Sequence, residues 1–325
     1  MPNYRYLNQN IFKNDDYSLV PIRIEDRYDI MRWRNEQIYH LRQKEPLTEA
    51  QQDRYFEEVV SKLFDQEEPD QILFSFLKND QLIGYGGLVH INWEDRNAEV
   101  SFITKNVSHL DLWLPYLKVL KEVAFQELHF NKIYTYAYDI RLELYGILES
   151  SNFILESIFS NHVVNGTETY DVRIHSCFNP FLEFWRRQAL LSDAKKLYQW
   201  ANDPTIRVQS LQSETIAWTS HLDWLYQKLQ HPINRMFIYY HKNQPIGNLR
   251  LDEVGEKYKI SYLVDADFRG KGFGSRIIED ALIITQRTLI AEVKPDNLAS
   301  NKVFEKNNFK SLSSNDNLNT WIYAR

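Results

Sequence analysis

Four landmarks occur twice along the chain, in the same order and about 160 residues apart. The matched pairs are Trp33-Arg34-Asn35-Glu36 with Trp200-Ala201-Asn202-Asp203, Lys78 to Gly84 with Lys242 to Gly247, Glu99-Val100-Ser101-Phe102 with Lys259-Ile260-Ser261-Tyr262, and Asn152-Phe153 with Asn308-Phe309. Similarity at one long, fixed offset indicates a duplicated structural unit. The 325 residues are therefore predicted to form two related domains, 1–179 and 180–325, with the boundary at Asn179-Pro180 because proline ends regular structure.

The apolar residues between these landmarks alternate between strand and helix patterns. Ile72–Leu77 and Met236–Tyr240 are short apolar runs followed by asparagine-containing turns, which is typical of hairpin strands. Ser275–Gln286 carries apolar residues at helical spacing, Leu289–Val293 has a strand pattern, and Ser300–Asn307 favours a second helix. The predicted fold class is α+β, with each domain a mixed, mostly antiparallel sheet flanked by helices.

Composition and charge exclude several classes of protein. Hydrophobic residues make up 43% of the chain, which is too many for a disordered protein, and the net charge of -6 argues against a nucleic-acid partner. No apolar stretch is long enough to span a membrane, so a cytoplasmic location is expected. The single cysteine, Cys177, excludes disulfides and cysteine-based metal sites, and no metal is expected. With no base paired to it, Cys177 is predicted to be a packed residue and not a nucleophile.

One loop concentrates the glycines of the second half. Gly270, Gly272 and Gly274 lie within five residues, between a predicted strand ending at Val264 and the helix that begins near Ser275. Glycines in such a loop let successive backbone N–H groups turn toward one point, and a helix N-terminus adds partial positive charge. Because Arg269 and Lys271 add full charges, the loop is predicted to hold a pyrophosphate.

This loop resembles the acetyl-coenzyme A (acetyl-CoA) loop of the GNAT superfamily of N-acetyltransferases, Gln/Arg-x-x-Gly-x-Gly/Ala. A second stretch, Asn297-Leu298-Ala299-Ser300 followed by Phe304 and Asn308-Phe309, is similar to the family segment that closes over the pantetheine arm. The resemblance implies acetyl-CoA as co-substrate, bound in a V-shaped opening between two parallel strands. The cofactor-binding residues that it implies are Leu263, Val264, Arg269, Gly270, Lys271, Gly272, Phe273, Gly274, Ser275, Asn297, Ser300 and Phe304.

The resemblance also implies direct attack of an amine on the acetyl group. Glu292 matches the glutamate that serves as base, through water, in ribosomal-protein acetyltransferases of this family, although a strand glutamate paired with Lys294 or another cation is an equal alternative. Many family members have a tyrosine that protonates the leaving thiolate, but this chain has Phe304 at that position. The proton then comes from Tyr262 or Ser300, or the thiolate leaves stabilised by the helix and water.

The first half has lost these features. The stretch that answers the glycine loop, 105–112, contains no glycine, and Arg141, Leu144 and Leu148 stand at the asparagine, small-residue and tyrosine positions of the second motif. Domain one is therefore expected to be a degenerate, non-catalytic copy that packs on domain two as an intrachain pseudo-dimer. Association into larger oligomers stays open.

The acceptor is the least constrained part of the prediction. Residues 193–229 are similar to family members that acetylate amino-sugar nucleotides, which implies a small-molecule primary amine as acceptor. The residues that the pattern offers as substrate contacts are Asn202, Glu214, His221, Trp224 and Tyr262. For His221 and Glu214 an exposed position on a helix is the stronger expectation, and for Trp224 a position in the core. The alternatives are an acetyltransferase acting on a protein N-terminus or lysine, and a non-catalytic module that binds acetyl-CoA.

Overall fold

The structure, a computed structural model, describes residues 2–165 and 167–325. Its contacts divide the chain into two compact units, one ending at Pro180 and the other comprising Phe181–Arg325, which we call unit one and unit two. Each unit is one mixed, mostly antiparallel sheet flanked by helices. The predicted α+β class is confirmed.

Unit one contains eight strands and five helices within the described residues. The strands are β1 (Phe12–Asn14), β2 (Tyr17–Pro21), β3 (Ile72–Lys78), β4 (Gln81–Asn92), β5 (Asn97–Thr104), β6 (Lys132–Tyr138), β7 (Ile154–Asn165) and β8 (Glu168–Phe178). The helices are α1 (Arg27–Glu36), α2 (Glu49–Tyr55), α3 (Ser61–Leu63), α4 (Trp113–Glu122) and α5 (Leu142–Ser150). Short 3-10 turns at Ile24–Asp26, Ile38–His40 and Leu110–Leu112 and π-helical turns at Phe56–Val60 and Val123–Glu127 join or extend them.

Unit two contains seven strands and five helices. The strands are β9 (Trp185–Gln188), β10 (Arg235–His241), β11 (Gln244–Val254), β12 (Lys257–Val264), β13 (Leu289–Val293), β14 (Lys310–Ser314) and β15 (Asn319–Tyr323). The helices are α6 (Ala194–Ala201), α7 (Pro204–Gln209), α8 (Trp218–Gln230), α9 (Phe273–Ile284) and α10 (Leu298–Lys306), with 3-10 turns at Leu191–Asp193 and Ala266–Phe268.

The strand order of the two sheets bears out the repeat seen in the sequence. In unit one the order is β1-β2-β3-β4-β5-β6-β8-β7, and in unit two it is β14-β15-β13-β12-β11-β10-β9. Apart from β1, each strand of one sheet has a counterpart at the same place in the other. Each sheet also has one parallel pair among otherwise antiparallel neighbours, β5 with β6 and β12 with β13.

The two parallel strands of unit two diverge after a short contact. They pair only at Tyr258 with Leu289 and at Lys259 with Ile290. Beyond that point β12 stays paired with β11 as far as Val264, and β13 stays paired with β15 as far as Val293. The V-shaped opening that the family resemblance implies is thereby confirmed.

Alternation along these strands separates two layers of apolar packing. One face, which includes Ile260 and Ala291, packs under Ile277 and Ile278 of α9 and Phe304 of α10. A second cluster packs against α6 and α8, and its buried members are Ala189, Ala194, Leu197, Trp200, Leu225, Met236 and Ile238. The opening between β12 and β13 therefore lies between two layers of helices.

Two buried histidines of unit one predict that acid weakens the fold. Burial lowers the pKa of His40 to about 3 and that of His175 to about 4, with the charges of Arg141 and Arg173 adding to the respective effects. An unfolded histidine binds a proton near pH 6.5, so the unfolded chain takes up protons that the folded chain refuses. We expect the free energy of unfolding to fall from about pH 6.5 to about pH 4, by up to about 1.4 kcal/mol per pH unit for each histidine.

Urea unfolding of the protein and of a His175→Gln variant across this pH range measures the effect. The variant should lose less stability per pH unit than the wild type. Equal slopes would contradict the assignment of the effect to His175.

Candidate functional site

The glycine loop of unit two adopts a backbone conformation that only glycine accepts readily. Gly270 has a φ of +74° and Gly272 a φ of +84°, both left-handed, and a Cβ atom built at either position would meet no atom within 4 Å. These glycines are therefore required by the backbone angles, and the space above them is open. Gly274 differs, because a Cβ there would lie 3.2 Å from the ring of Tyr262.

This loop presents a row of unused donors. Among the hydrogen bonds of the described chain, the backbone N–H groups of residues 270 to 274 donate none, whereas Ser275 N–H already bonds to the Gly272 carbonyl at 3.1 Å. The first four N–H groups of any helix lack an acceptor within the helix. Here two left-handed glycines add further free N–H groups just before α9. The arrangement suits an anion, since the helix N-terminus carries partial positive charge.

Arg269 and Lys271 lie beside the loop but hold protein carbonyls in this structure. The Nζ atom of Lys271 donates to the Asp267 carbonyl at 2.8 Å. Arg269 Nε donates to the Val264 carbonyl at 3.0 Å, and its Nη1 donates to Thr205 Oγ1 at 2.7 Å. Its Nη2 lies 3.8 Å from Asp203 Oδ1. The guanidinium thus links the glycine loop to the start of α7.

The edge of β12 offers main-chain groups to the opening at alternate residues. Asp265 N–H donates to the Ile246 carbonyl at 2.8 Å, which fixes the phase of the ladder between β12 and β11. Hydrogen-bonded and non-hydrogen-bonded pairs alternate along an antiparallel ladder. The main-chain groups of Leu263 are therefore bonded to Asn248 of β11. The N–H and C=O groups of Tyr262 and Val264 face the opening instead.

Several residues of the two motifs position helices. Ser275 is 6% exposed, and its Oγ accepts from Asn307 Nδ2 at 3.0 Å, which joins α9 to the end of α10. Asn297 Oδ1 accepts from Ser300 N–H at 3.1 Å and caps α10. Phe273 and Phe304 are buried, so both belong to the core beneath the loop.

Tyr262 and Ser300, the two proposed proton donors, lie in contact. The Tyr262 hydroxyl donates to Ser300 Oγ at 3.3 Å, across from β12 to α10. The ring of Tyr262 meets that of Phe304 edge to face, with centroids 5.8 Å apart. Burial raises the pKa of Tyr262, so the phenol keeps its proton at neutral pH. A phenolic O–H therefore lies next to the position where Phe304 has none.

Glu292 forms an ion pair with Lys259 across the start of the opening. Both side chains are about one-third exposed, at 30% and 32%. The cation is thus Lys259 on the neighbouring strand, and Lys294 instead donates to the Val208 carbonyl at 2.8 Å. Glu292 lies on the sheet face away from α9 and α10, because its neighbours Ala291 and Val293 pack in that helix layer.

A group of polar side chains continues from Glu292 across this sheet face. Arg250 Nε lies 2.6 Å from Asp252 Oδ2, and Lys228 Nζ of α8 lies 2.7 Å from Asp252 Oδ1. Arg250 also donates to Ser261 Oγ at 3.5 Å and lies over the ring of Trp224, 5.2 Å from its centroid. We call this set the polar floor; its members are Lys228, Arg250, Asp252, Lys259, Ser261 and Glu292. The four members on β11 and β12 lie at alternate positions of their strands. This alternation is a sequence signal for the polar floor that the sequence analysis did not use.

The predicted substrate contacts occupy different surroundings. Trp224 borders the polar floor through Arg250. Asn202 instead clamps the loop before α8, since its side chain exchanges two hydrogen bonds with Ile216 at 2.8 and 3.1 Å. Glu214 is exposed in that loop. The expectation that His221 is exposed was wrong, because it is 2% exposed and its Nε2 lies 3.0 Å from the Ala194 carbonyl. His221 joins α8 to α6 within the core.

Unit one has different residues at each of these places. In unit two, Glu292 lies on β13 two residues after Ile290, which pairs with Lys259 of β12. The same position on β6 of unit one, two residues after the partner of Glu99, is Tyr136. A tyrosine thus stands where unit two has its carboxylate. Arg141 lies immediately before α5, at the place of Asn297 before α10.

Within residues 2–165 and 167–325, the one cysteine lies on β8 of unit one. Cys177 is buried as predicted, and burial raises the pKa of its thiol to about 11. No cluster of His, Cys, Asp and Glu in this part of the chain could hold a metal ion. None of its helices combines the length and apolarity needed to cross a membrane.

Comparison with known proteins assigns both halves to one family. A family model described as "Acetyltransferase (GNAT) domain" matches residues 19–174, and one described as "Acetyltransferase (GNAT) family" matches residues 194–309. No curated protein matched the chain in sequence.

Solved structures of similar fold each match less than the whole chain. An acetyltransferase from Thermus thermophilus is 18% identical with a TM-score of 0.40, and the match covers 44% of this chain and 97% of the other. An N-acetyltransferase from Staphylococcus aureus is 22% identical with a TM-score of 0.38, covering 44% and 99%. Mutant forms of the spermidine/spermine N-acetyltransferase SpeG from Vibrio cholerae are 16% identical with a TM-score of 0.43, covering 51% and 95%. Because the two family models together account for most of the chain, this protein belongs to the GNAT family of acetyltransferases, with two GNAT domains in tandem.

Proposed function

We propose that unit two binds acetyl-CoA and transfers its acetyl group to the primary amine of a small molecule. The observation that carries this proposal is the row of free N–H groups in the glycine loop, which lies at the end of β12 beside the opening between β12 and β13. In this proposal unit one does not catalyse, and the domain boundary lies at Asn179-Pro180.

The residues present fit acetyl-CoA. The N–H groups of residues 270 to 274 would hold the pyrophosphate, and the open space above Gly270 and Gly272 admits it. Main-chain groups of Tyr262 and Val264 would pair with the amides of the pantetheine arm, once Arg269 releases the Val264 carbonyl. Acetyl-CoA supplies an acetyl group on a thioester, which an amine can attack.

Glu292 is the proposed proton acceptor. An amine reaches the site mainly as an ammonium ion, which must lose a proton before it can attack. Glu292 lies on β13, close enough to Lys259 of β12 for an ion pair, so its carboxylate borders the opening between the two strands. A bridging water would extend its reach to the amine. Lys259 orients the carboxylate through their ion pair.

The polar floor favours an acceptor that carries negative charge. It contains three cations, Lys228, Arg250 and Lys259, against two carboxylates, Asp252 and Glu292. Trp224 adds an aromatic surface beside Arg250. An amino-sugar nucleotide combines an amine with phosphates and rings, whereas a basic protein tail or lysine-rich peptide would meet the excess of positive charge.

The direct test measures coenzyme A release with a thiol reagent, using a panel of amines. The panel contains amino-sugar nucleotides, the matching amino sugars without phosphate, polyamines and a lysine-rich peptide. The proposal expects turnover with an amine of the first class, reduced when the phosphates are removed. Turnover with the peptide alone would replace it with a protein acetyltransferase. Tight acetyl-CoA binding without turnover on any amine would replace it with a binding module.

Tyr262 gives a prediction specific to the leaving group. A hydrogen bond from its hydroxyl to the departing sulfur would stabilise the thiolate, and hydrogen bonds to charged groups contribute about 1.5–3 kcal/mol. We therefore expect Tyr262→Phe to lower kcat about tenfold or more while leaving acetyl-CoA affinity within a factor of about two.

Tyr258→Phe is the matched control for this measurement. Tyr258 lies on the same strand, and its hydroxyl donates to the Ile233 carbonyl at 3.2 Å, outside the opening. Its kcat should stay at the wild-type value. An unchanged kcat in Tyr262→Phe would assign the proton to Ser300 or to water.

A further inference from the structure

A cavity of about 470 Å³ lies on the sheet of unit one, and its volume is within the range of small-molecule sites. On β6, Ile133, Thr135 and Ala137 are buried in the core. Tyr134 and Tyr136 alternate with them and line the cavity on the other face of the sheet. The residues that carry the chemistry of the cavity are Arg42, His90, Glu99, Tyr134, Tyr136 and Phe159. None of these takes part in the chemistry proposed for unit two.

The cavity occupies the place in unit one that the polar floor occupies in unit two. Glu99 of β5 stands at the position of Lys259 of β12, next to the point where the two parallel strands diverge. On the neighbouring strand, Tyr136 stands at the position of Glu292. Unit one therefore has a lined cavity at its diverging strands, but β6 contains no carboxylate that could accept a proton there.

Three contacts hold the guanidinium of Arg42 at the edge of the cavity. Its Nη2 donates to Glu99 Oε2 at 2.8 Å, its Nη1 donates to His90 Nε2 at 2.8 Å, and it lies 4.0 Å from the centroid of the Tyr136 ring. Because an arginine cannot accept a hydrogen bond, His90 Nε2 is the acceptor, and the ring is neutral with its proton on Nδ1. Three further N–H groups of Arg42 have no acceptor within residues 2–165 and 167–325.

The segment that carries Arg42 is held in place by Asn35 of α1. The side chain of Asn35 exchanges two hydrogen bonds with the backbone of Leu47, at 2.7 and 2.9 Å. Asn202, its counterpart in the repeat, makes the same two bonds with Ile216 in unit two. A fixed segment keeps the N–H groups of Arg42 oriented before any ligand arrives, which reduces the entropy that binding costs.

Glu99 is a buried carboxylate with one oxygen that has no partner in the chain. The residue is 9% exposed and lines the cavity, and its Oε2 accepts from Arg42. Its Oε1 accepts from none of the described residues. The hydroxyls of Tyr134 and Tyr136, which line the same cavity, also make no hydrogen bond with this part of the chain. The cavity therefore presents free donors and free acceptors side by side.

The charges around the cavity cancel. Glu99 neutralises Arg42, and Lys132, which also lines the cavity, lies 3.1 Å from Glu156 of β7. A charged ligand would have to compete with one of these pairs, and the group of like sign would repel it. An uncharged ligand whose hydroxyls both donate and accept can bond to the free N–H groups of Arg42 and to Glu99 Oε1 together.

The aromatic side chains form one wall and not a slot between two parallel rings. Tyr134 and Tyr136 stand side by side on β6, and Phe159, which is 42% exposed, extends the wall from β7. The rings that contact Tyr136, those of Tyr138 and His162, are tilted from it by 71° and 65°. A planar base stacks through both of its faces, whereas a sugar ring has a face of C–H groups and hydroxyls around its edge. A single aromatic wall flanked by donors and acceptors fits the sugar.

We propose that unit one binds an uncharged sugar in this cavity, with Tyr134 and Tyr136 against the C–H face of the ring and with Arg42 and Glu99 bonded to its hydroxyls. Unit one binds this sugar without transferring a group to it, because β6 offers no carboxylate and the stretch 105–112 has no glycine. The proposal does not rest on acetyl-CoA binding or on catalysis by unit two.

Saturation-transfer NMR on the full chain tests the class of ligand. The probes are the neutral sugars glucose, galactose, mannose and N-acetylglucosamine, with adenine as a planar base. We expect saturable binding of at least one neutral sugar, and weaker binding of adenine than of that sugar. No saturable binding of any of the four sugars, or tighter binding of adenine than of all of them, would overturn the proposal.

Tyr134→Ala tests the location of the site. The substitution removes part of the aromatic wall, and we expect it to raise the Kd of the sugar about tenfold or more. Tyr138→Ala is the matched control, because Tyr138 is a half-buried tyrosine on the same face of β6 but does not line the cavity. Its Kd should stay within a factor of about two of the wild-type value. Equal Kd values for Tyr134→Ala and the wild type would place the sugar elsewhere and contradict the proposal.

Glu99→Gln supplies a readout that a purely structural role of Glu99 would not give. The amide keeps the shape of the side chain but leaves Arg42 without its carboxylate, so the cavity gains net positive charge. Relative to the wild type, we expect the affinity for the neutral sugar to fall and the affinity for the uronic acid form of the same sugar to rise, each about fivefold or more. If the affinity for the uronic acid does not rise, the paired charges do not select the ligand and the proposal is wrong.

Discussion

Replacing Gly272 with glutamate is expected to weaken acetyl-CoA binding about 100-fold or more. The substitution places a carboxylate beside the free N–H groups of residues 270 to 274, where the proposed pyrophosphate would lie. It also forces a side chain onto a φ of +84°, which L-residues adopt at a cost of roughly 1–2 kcal/mol. Isothermal titration of acetyl-CoA into the purified protein measures the change, and a factor of 100 corresponds to about 2.8 kcal/mol.

Gly255→Glu is the control variant that distinguishes the effect of the added charge from the effect of backbone strain. Gly255 lies in the turn between β11 and β12, has a φ of +58°, and like Gly272 has no atom within 4 Å of a built Cβ. It should lose similar stability yet bind acetyl-CoA as the wild type does. If both variants bind normally, the loop is only a turn and the proposed acetyl-CoA site is withdrawn. If the wild type binds two molecules per chain, unit one is not degenerate.

Replacing Glu292 with glutamine is expected to lower kcat by about 10²- to 10⁴-fold near neutral pH, the usual range for loss of a general base. Acetyl-CoA affinity should change little, because the carboxylate lies outside the glycine loop. The deficit should shrink as the pH approaches the pKa of the acceptor amine, since the amine then arrives already deprotonated. The comparison requires steady-state kcat for both proteins across the pH range.

Glu253→Gln is the matched control for this measurement. Glu253 is also a strand glutamate of unit two in an ion pair, with Arg287 at 2.7 Å, and its side chain is 25% exposed against 30% for Glu292. Its kcat should remain close to that of the wild type. Equal kcat values for Glu292→Gln and wild type at all pH values would leave Glu292 as half of a structural ion pair with Lys259.

The parts of this protein that sequence predicted are those set by local rules. Strand β13 was predicted at Leu289–Val293 and has those bounds, because period-two burial is visible in five residues. Asn308 follows α10 with a φ of +63°, the left-handed conformation that asparagine tolerates by its own chemistry. The repeat predicted one topology for both sheets, which follows from ordered landmarks alone.

The parts that sequence did not reveal depend on contacts between distant elements. The partner of Glu292 is Lys259, 33 positions away, and the pairing follows from the parallel register of two strands. His221 looked like a polar residue on an exposed helix face, but α8 turns that face toward α6.

The sheet of unit two consists of two antiparallel ribbons, β9 to β12 and β13 to β15. Only two residue pairs, both between β12 and β13, join the ribbons. The main-chain N–H and C=O groups of Tyr262 and Val264 face the gap, and no strand of the chain pairs with them there. A molecule with amides at the right spacing can take the place of that strand. Its binding then completes the backbone hydrogen bonding along β12 as well as filling the site. Protection of these amides from hydrogen exchange would accordingly rise with the fraction of sites that hold ligand. The ligand itself would then act as a strand between the two ribbons.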